Sequence, residues 1–426
     1  MSALLSTLPS RVAARLRAVP TARMRRILLG LYLLAAFGDA AGKALAANPA
    51  VNNALAHLVH GAEAEEIHDA RRPSGNFEIF RASSHHLVNG QDLYAQYPTE
   101  QDRFKYSPSF ALLFAPLAWI PWPLALFLWS TLNALALFVA LERLLPPRAA
   151  MLAIGCMLLE LLRAMQNAQS NALVAALIIL AFLAVERARA GRAGLCVALG
   201  VCIKIFPLAA LTFAIPVRRA VRTGLAAVAA GVGVLLLPLL VTSPARLVAQ
   251  YHSWRAIEAT DAQQRWFSVM ELLHEWTGAT IPNWPVQLAG VFLLVLPLAV
   301  RRDRWADLRF RVGYLCSVLL FVALFNHQAE RASYVIAFTG ATIWFAGSVR
   351  TRWRSALYGV AMLTMPVAST LIGGAWLKQP EVVLYRLALP TLLIWIAVQG
   401  ELWGGIGDGG IGDTGVGSGI RVPDKR

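Results

Sequence analysis

The chain is short of charge, and of acids most of all. Only 15% of its 426 residues are Asp, Glu, Lys or Arg, against about 25% in soluble proteins. There are 39 Lys and Arg against 24 Asp and Glu, a net charge of +15. With 57% hydrophobic residues and a mean hydropathy of +0.55, this composition excludes a soluble globular domain. Cysteine is scarce too. Cys156, Cys196, Cys202 and Cys316 all lie in apolar segments, which excludes a disulfide framework or a zinc site in a polar loop. There is no soluble basic face for nucleic acid. There is no P-loop, and no GxGxxG follows a strand. The first apolar run is long and lacks a small-residue cleavage pattern, so it reads as a first span and signal anchor rather than a cleaved signal peptide.

What the chain does have is long apolar runs. Segments at about 27–47, 106–120, 122–144, 149–164, 171–189, 193–216, 223–241, 284–300, 310–325, 332–348, 355–372 and 382–402 mark an all-α polytopic membrane protein. Ten to twelve of them are expected to span fully. Residues 1–26 carry six arginines and no acid, which sets a basic cytoplasmic N-terminus by the positive-inside rule. Residues 27–402 form one transmembrane domain with outer loops at 48–105, 242–283 and 326–331. The Gly-rich run in 403–426 is expected to be a disordered cytoplasmic tail.

The first half leaves two topologies open. If every segment spans, Arg187, Arg189 and Arg192 fall outside, against the charge rule. If 106–120 and 193–216 are re-entrant or broken, they fall inside. Pro121 and Pro123 after the first, and Lys204 and Pro207 within the second, favour irregularity.

The most polar stretch is Asn76–Phe110. Its first half reads as an amphipathic helix, with Phe77, Phe80, Ser84, Leu87 and Val88 near one face and Glu78, Arg81 and His85 on another. Asn89-Gly90 stops it. A carboxylate here can serve as a general base, and Glu78 is the first candidate, with Asp69 and Asp92 as rivals. Arg81 could orient Glu78 or bind an anion. An exposed Glu–Arg pair, worth under about 1 kcal/mol, is the plain alternative.

Lys105 with Tyr106 opens the next segment and could take a lipid phosphate or simply snorkel. Lys204 sits deep in an apolar run, where a lysine needs an anion or a wet cavity. Glu160, Arg163, Gln166, Asn167, Gln169 and Asn171 form a polar cluster suited to a sugar or to interhelical hydrogen bonds. Asn326–Arg331 is a compact polar turn. His327 and Arg331 there could meet a phosphate, and Glu330 could meet sugar hydroxyls. His252, Glu258, Asp261 and His274 look scattered.

Four stretches carry a resemblance: Phe77–Tyr94, Lys105–Pro121, Gln166–Phe182 and Gly194–Leu211. In order and spacing they are similar to glycosyltransferase family 87, polyprenol-phosphate-mannose-dependent enzymes of the membrane GT-C class. The resemblance implies a GT-C-like bundle. It implies transfer of a hexose, commonly mannose, from a polyprenyl-phosphate carrier to a lipid-linked or cell-envelope glycan. The reaction inverts the anomeric carbon on the outer (periplasmic) face of a bacterial plasma membrane. No nucleotide sugar, cofactor or metal is implied. A carboxylate of the first outer loop is the base; Arg81, Lys105, Lys204, His327 and Arg331 would hold the donor phosphate. Asn76, Tyr94, Tyr106, Gln166, Asn167, Asn171 and Glu330 would face sugar or acceptor. The family pattern has Asp where this chain has Asn76, and an amide is no base. The role shifts to Glu78 or Asp69, or the chain is a catalytically inactive envelope-assembly protein. A secondary transporter is the reading from another class.

Overall fold

The computed structural model describes residues 20–48, 75–98, 102–349, 351–372 and 374–404, with 51 and 100. Among them every regular element is helical. All twelve expected apolar segments contain helix. Seven helices are long and apolar enough to cross a membrane: α1 (Thr21–Ala46), α4 (Trp122–Leu144), α5 (Pro147–Gln166), α8 (continuing to Leu240), α11 (Asn283–Val300), α14 (continuing to Ile372) and α15 (Pro380–Gly404). The α-helical part of α8 is Ala220–Leu236, and that of α14 is Arg352–Met362. The chain is therefore a multi-pass membrane protein, and seven of the ten to twelve expected full spans meet that length among the described residues.

The remaining helices are shorter. They are α2 (Gly75–Val88), α3 (Pro108–Ala118), α6 (Asn171–Glu186), α7 (Ala190–Ile203), α9 (Pro244–Asp261), α10 (Val269–Thr277), α12 (Leu308–Leu324) and α13 (Tyr334–Gly347). Burial sorts them. Every residue of α13 from Tyr334 to Ala346 is buried, as are nearly all of α6 and most of α12, so these form the centre of the bundle. In contrast, α8 exposes Val221, Leu225, Val228 and Leu236, and α11 exposes Leu288, Val291 and Phe292, which suits a face against lipid.

The two irregular segments decide where the site falls. Ser107 caps α3 by accepting from Phe110 N–H, with Pro108 in the first turn. Eleven residues at 1.5 Å each give about 16 Å, half the roughly 30 Å of a hydrocarbon core. Meanwhile α7 stops at Lys204, whose backbone is extended, and resumes as a 3-10 helix over Phe206–Ala214. The break is tight: a Cβ on Gly200 would lie 2.7 Å from Pro207. Ser107 Oγ donates to Cys202 O at 2.6 Å, so the start of α3 is fastened to the broken end of α7.

The arginines sort themselves at the other end. Arg25 pairs with Glu142 at 2.6 Å, Arg311 with Glu186 at 2.7 Å and Arg354 with Glu401 at 2.6 Å. Arg187 stands close enough to Arg143 to repel it. The end of α6 is thus level with the end of α4 and the start of α1. Arg187 and Arg189 belong to the same basic pole as Arg25, which is the arrangement expected for a broken 193–216 segment.

Candidate active site

The opposite pole holds two polar centres. The first is built on Lys105. One face of α9 carries Trp254, Glu258 and Asp261 at spacings of four and three. Trp254 Nε1 donates to Lys105 O at 3.2 Å, and Lys105 Nζ meets Asp261 Oδ2 at 3.0 Å and Asp102 Oδ2 at 3.7 Å. The loop before Lys105 is tied to the same helix, because Gln250 accepts from Leu93 N–H and donates to Gln91 O. Tyr94 OH donates to Tyr106 O at 2.7 Å. Tyr106 OH donates to Gln169 Oε1 at 3.3 Å, and Gln169 Nε2 donates to Glu330 Oε2 at 3.0 Å. Half-buried Lys204 lies within electrostatic reach of Glu330 and Glu258.

Charge in this centre is balanced towards the negative: two lysines face Glu258, Asp261 and Glu330. Burial opposes the charge of Lys105, but Asp261 and Asp102 outweigh it and hold the ammonium above its usual range. Burial, then Asp261, push Glu258 above the usual carboxylate range, while Trp254, Gln328 and Lys105 work the other way. Burial pulls His327 down against the pull of Asp261. Its Nδ1 lies 3.2 Å from Gln287 Nε2. Such a centre suits hydroxyls and protons better than another anion. Among the described residues no group of three His, Cys, Asp or Glu is arranged to hold a metal ion.

The second centre is cationic. Arg163 of α5, Arg331 of the turn after α12 and Arg386 of α15 repel one another, and among the described residues Glu160 is the acid that attracts Arg163 and Arg386. Arg163, Arg386 and Glu160 are 7%, 8% and 1% exposed. Arg386 donates to Ser369 Oγ and Thr364 O, and Arg331 to Lys378 O at 2.6 Å. Arg163 Nη1, Arg386 Nε and Glu160 Oε2 are buried with no hydrogen-bond partner among the described residues. Among the described residues this leaves two positive charges uncompensated at one end of an apolar bundle, which costs several kcal/mol unless an anion joins them. The centres meet at two turns, Gln166–Asn171 and Asn326–Arg331. Ala168 sits at φ 49°, a left-handed conformation that favours glycine, and its carbonyl accepts from Trp129 Nε1.

The expected site residues divide. Lys105, Tyr106, Lys204, His327 and Glu330 gather in the first centre, with Tyr94 beneath, and Arg331 in the second. Asn171 is fully buried beside the 166–171 turn, its amide without a partner among the described residues, whereas Gln166 and Asn167 are exposed. Helix α2 forms as expected and ends at Gly90, φ +69°. Asn76 Nδ2 donates to Asn167 O at 3.2 Å, which sets the first turn of α2, with Glu78, over that polar turn. Arg81 reaches away, donating to Ala118 O at 2.9 Å. Asp92 is exposed and caps a turn, accepting from Tyr94 N–H and Ser253 Oγ. Asp69 lies outside the described residues. Glu258 and Asp261 were set aside as scattered, and Arg386 escaped the sequence reading. Their signals were the 254–258–261 spacing and a lone cation six residues into an apolar helix.

The loop after α2 has its own titrating pair. Burial lifts Glu100 to about 7, and its carboxyl lies 3.5 Å from His86 Nε2. Burial, then the charge of His85, pull His86 down, and its ring stacks on Tyr97 at 3.9 Å. A carboxyl raised in the folded state binds its proton more tightly there. Its contribution is complete below the unfolded value near 4.5 and is lost as pH rises through about 7. Amide exchange across residues 90–98 is expected to be slower at pH 5.5 than at pH 8, after correction for intrinsic rates. Glu100→Gln is expected to remove the difference.

A family model described as glycosyltransferase family 87 matches residues 104–326, just over half of the chain. The match begins beside Lys105 and ends in the polar turn, so it takes in Gln169, Lys204, Glu258 and Asp261. Helix α2, Glu330, Arg331 and Arg386 lie beyond it. No curated protein matches the chain. Membership implies transferase activity, and the matched segment contains most of the Lys105 centre: the chain belongs to glycosyltransferase family 87.

Proposed function

We propose that the chain moves a hexose, mannose first, from a polyprenyl-phosphate carrier to a hydroxyl of a lipid-linked or cell-envelope glycan. The reaction is placed on the outer face of a bacterial plasma membrane, with both termini in the cytoplasm. The basic pole around Arg25, Arg187 and Arg354 supports that orientation by the positive-inside rule. The observation that carries the reading is the arginine centre. Its unbalanced charge at the end of an apolar bundle suits a phosphate on a lipid tail, beside a carboxylate-rich centre suited to hydroxyls.

The chemistry needs a base and a cradle. A carboxylate takes the proton of the acceptor hydroxyl. That oxygen attacks the anomeric carbon, and the bond to the phosphate oxygen breaks on the opposite face. The polyprenyl phosphate leaves with the bonding pair, into the arginines. Lys105 and Lys204 are then assigned to ordering Asp261, Glu258 and Glu330, and the phosphate passes to Arg331, Arg163 and Arg386. Glu78 is the first reading for the base. Glu258 is the second, favoured by its place beside Lys105 and its raised affinity for a proton.

The test is transfer of labelled sugar from polyprenyl-phosphate-mannose, -glucose or -arabinose to membrane lipid or glycan, in membranes with and without the chain. Chain-dependent labelling from the mannose donor is expected. Labelling from none of the three would sink the reading and leave a transporter or an inactive assembly protein.

A further inference from the structure

Between the 264–275 segment and the start of α15 lies a groove of about 450 Å³, within the roughly 300–1,000 Å³ of ligand pockets. Its lining includes Trp266, Phe267, Glu271, Glu275 and Glu381. We propose that this groove is a subsite for a neutral pyranose ring of the acceptor glycan, with the Trp266 indole as its platform. The inference rests on the transferase reading for the word acceptor, and on the groove alone for sugar binding.

Three features point to a sugar. Trp266 is 46% exposed, and it lines a groove with acids on its walls rather than an apolar surface. A pyranose has an apolar C–H face, which suits an indole, and a rim of hydroxyl donors, which suits carboxylates. Trp266 is also held in place. Its Nε1 donates to Gln264 Oε1, and its backbone sits at φ 34°, where a bulky side chain is strained. The lining carries Glu271, Glu275 and Glu381 against Arg265, whose guanidinium donates to Ile281 O. That balance disfavours a uronic acid or a phosphorylated sugar.

The lining of the groove is hydrogen-bonded to the Lys105 centre. Gln264, which lines it, donates through Nε2 to Asp261 Oδ1 at 3.1 Å, and Asp261 binds Lys105 at 3.0 Å. Phe267 N–H donates to Ala329 O at 3.1 Å, and the Arg331 guanidinium lies 5.9 Å from the Phe267 ring centre. A ring seated on Trp266 therefore abuts the residues that join both polar centres.

The test is saturation-transfer NMR on the full chain in detergent, with mannobiose and maltose as neutral probes and digalacturonate as the anionic one. Transfer to a neutral disaccharide is expected, reduced about tenfold in Trp266→Ala and largely kept in Trp266→Phe. Digalacturonate is expected to give little, and to gain in Glu271→Gln. Equal signals in wild type and Trp266→Ala, no signal from either neutral probe, or an equal one from digalacturonate would overturn the subsite. In the transfer assay Trp266→Ala is expected to raise the acceptor KM about tenfold and leave the donor KM unchanged. An active chain indifferent to Trp266→Ala removes the subsite and keeps the transferase. A chain that binds sugar through Trp266 but transfers from no carrier keeps the subsite as a sugar site and removes the transferase.

Discussion

Arg386→Met and Arg163→Met are each expected to raise the donor KM about a hundredfold, with a smaller rise for the half-buried Arg331→Met. Removing one member of a buried, hydrogen-bonded charge pair costs about 2–5 kcal/mol, and each 1.4 kcal/mol is about a factor of ten. Here the pair is the guanidinium and the phosphate it holds. The usual objection, that such a variant fails to fold, is weak for these residues. The three arginines repel one another, with Glu160 as their acid among the described residues, so trading one for an apolar side chain of similar volume relieves the empty protein. Buried ion groups replaced in this way are often neutral or stabilising. The thermal midpoint in detergent is therefore expected to hold or rise while donor binding falls. Initial rates across a donor titration, beside a melting curve, check both. An unchanged KM would return the phosphate to Lys105 and Lys204.

Glu78→Gln is expected to lower kcat by about two to four orders of magnitude with the donor KM nearly constant, the range for loss of a general base. The amide keeps the shape and hydrogen-bonding reach of the carboxylate but cannot take a proton. Glu258→Gln is the control that decides between the readings. A base must be ionised, so activity falls as pH falls through its pKa. Burial and Asp261 hold Glu258 above the usual carboxylate range. If Glu258 is the base, the acid limb of the kcat profile lies correspondingly high and Glu258→Gln abolishes it. Loss in Glu258→Gln with full activity in Glu78→Gln would move the base to α9.

The stretch around Lys105 was legible because its signals are local. Pro108 and Ser107 announce the start of α3, and Asn89-Gly90 the end of α2. Glu258 and Asp261 were not, because a spacing of three on an amphipathic helix is also what any solvated helix offers. Only the docking of α9 against the 90–106 loop, through Gln250 and Trp254, turns that face towards Lys105. Arg163 and Arg386 are 223 residues apart. Nothing along the chain says that they share one acid.

The sequence by itself determined the membrane class, the helical segments, the basic pole and the polar turns at 166–171 and 326–331. These follow from apolarity, charge and turn chemistry, which act over a few residues. It left the fate of Arg187, Arg189 and Arg192 open, and it spread the phosphate over Arg81, Lys105, Lys204, His327 and Arg331. Tertiary structure decided the first, and for the second it supports a different proposal. The break at Lys204 and the brevity of α3 put Arg187 and Arg189 at the basic pole. Packing pairs Lys105 with Asp261 and Asp102, sets Lys204 within reach of Glu330 and Glu258, and leaves Arg163, Arg331 and Arg386 in excess among the described residues. The physical reason is that charge balance is a property of a volume. In this bundle that volume is filled by α5, α9, α15 and two turns that the chain holds far apart.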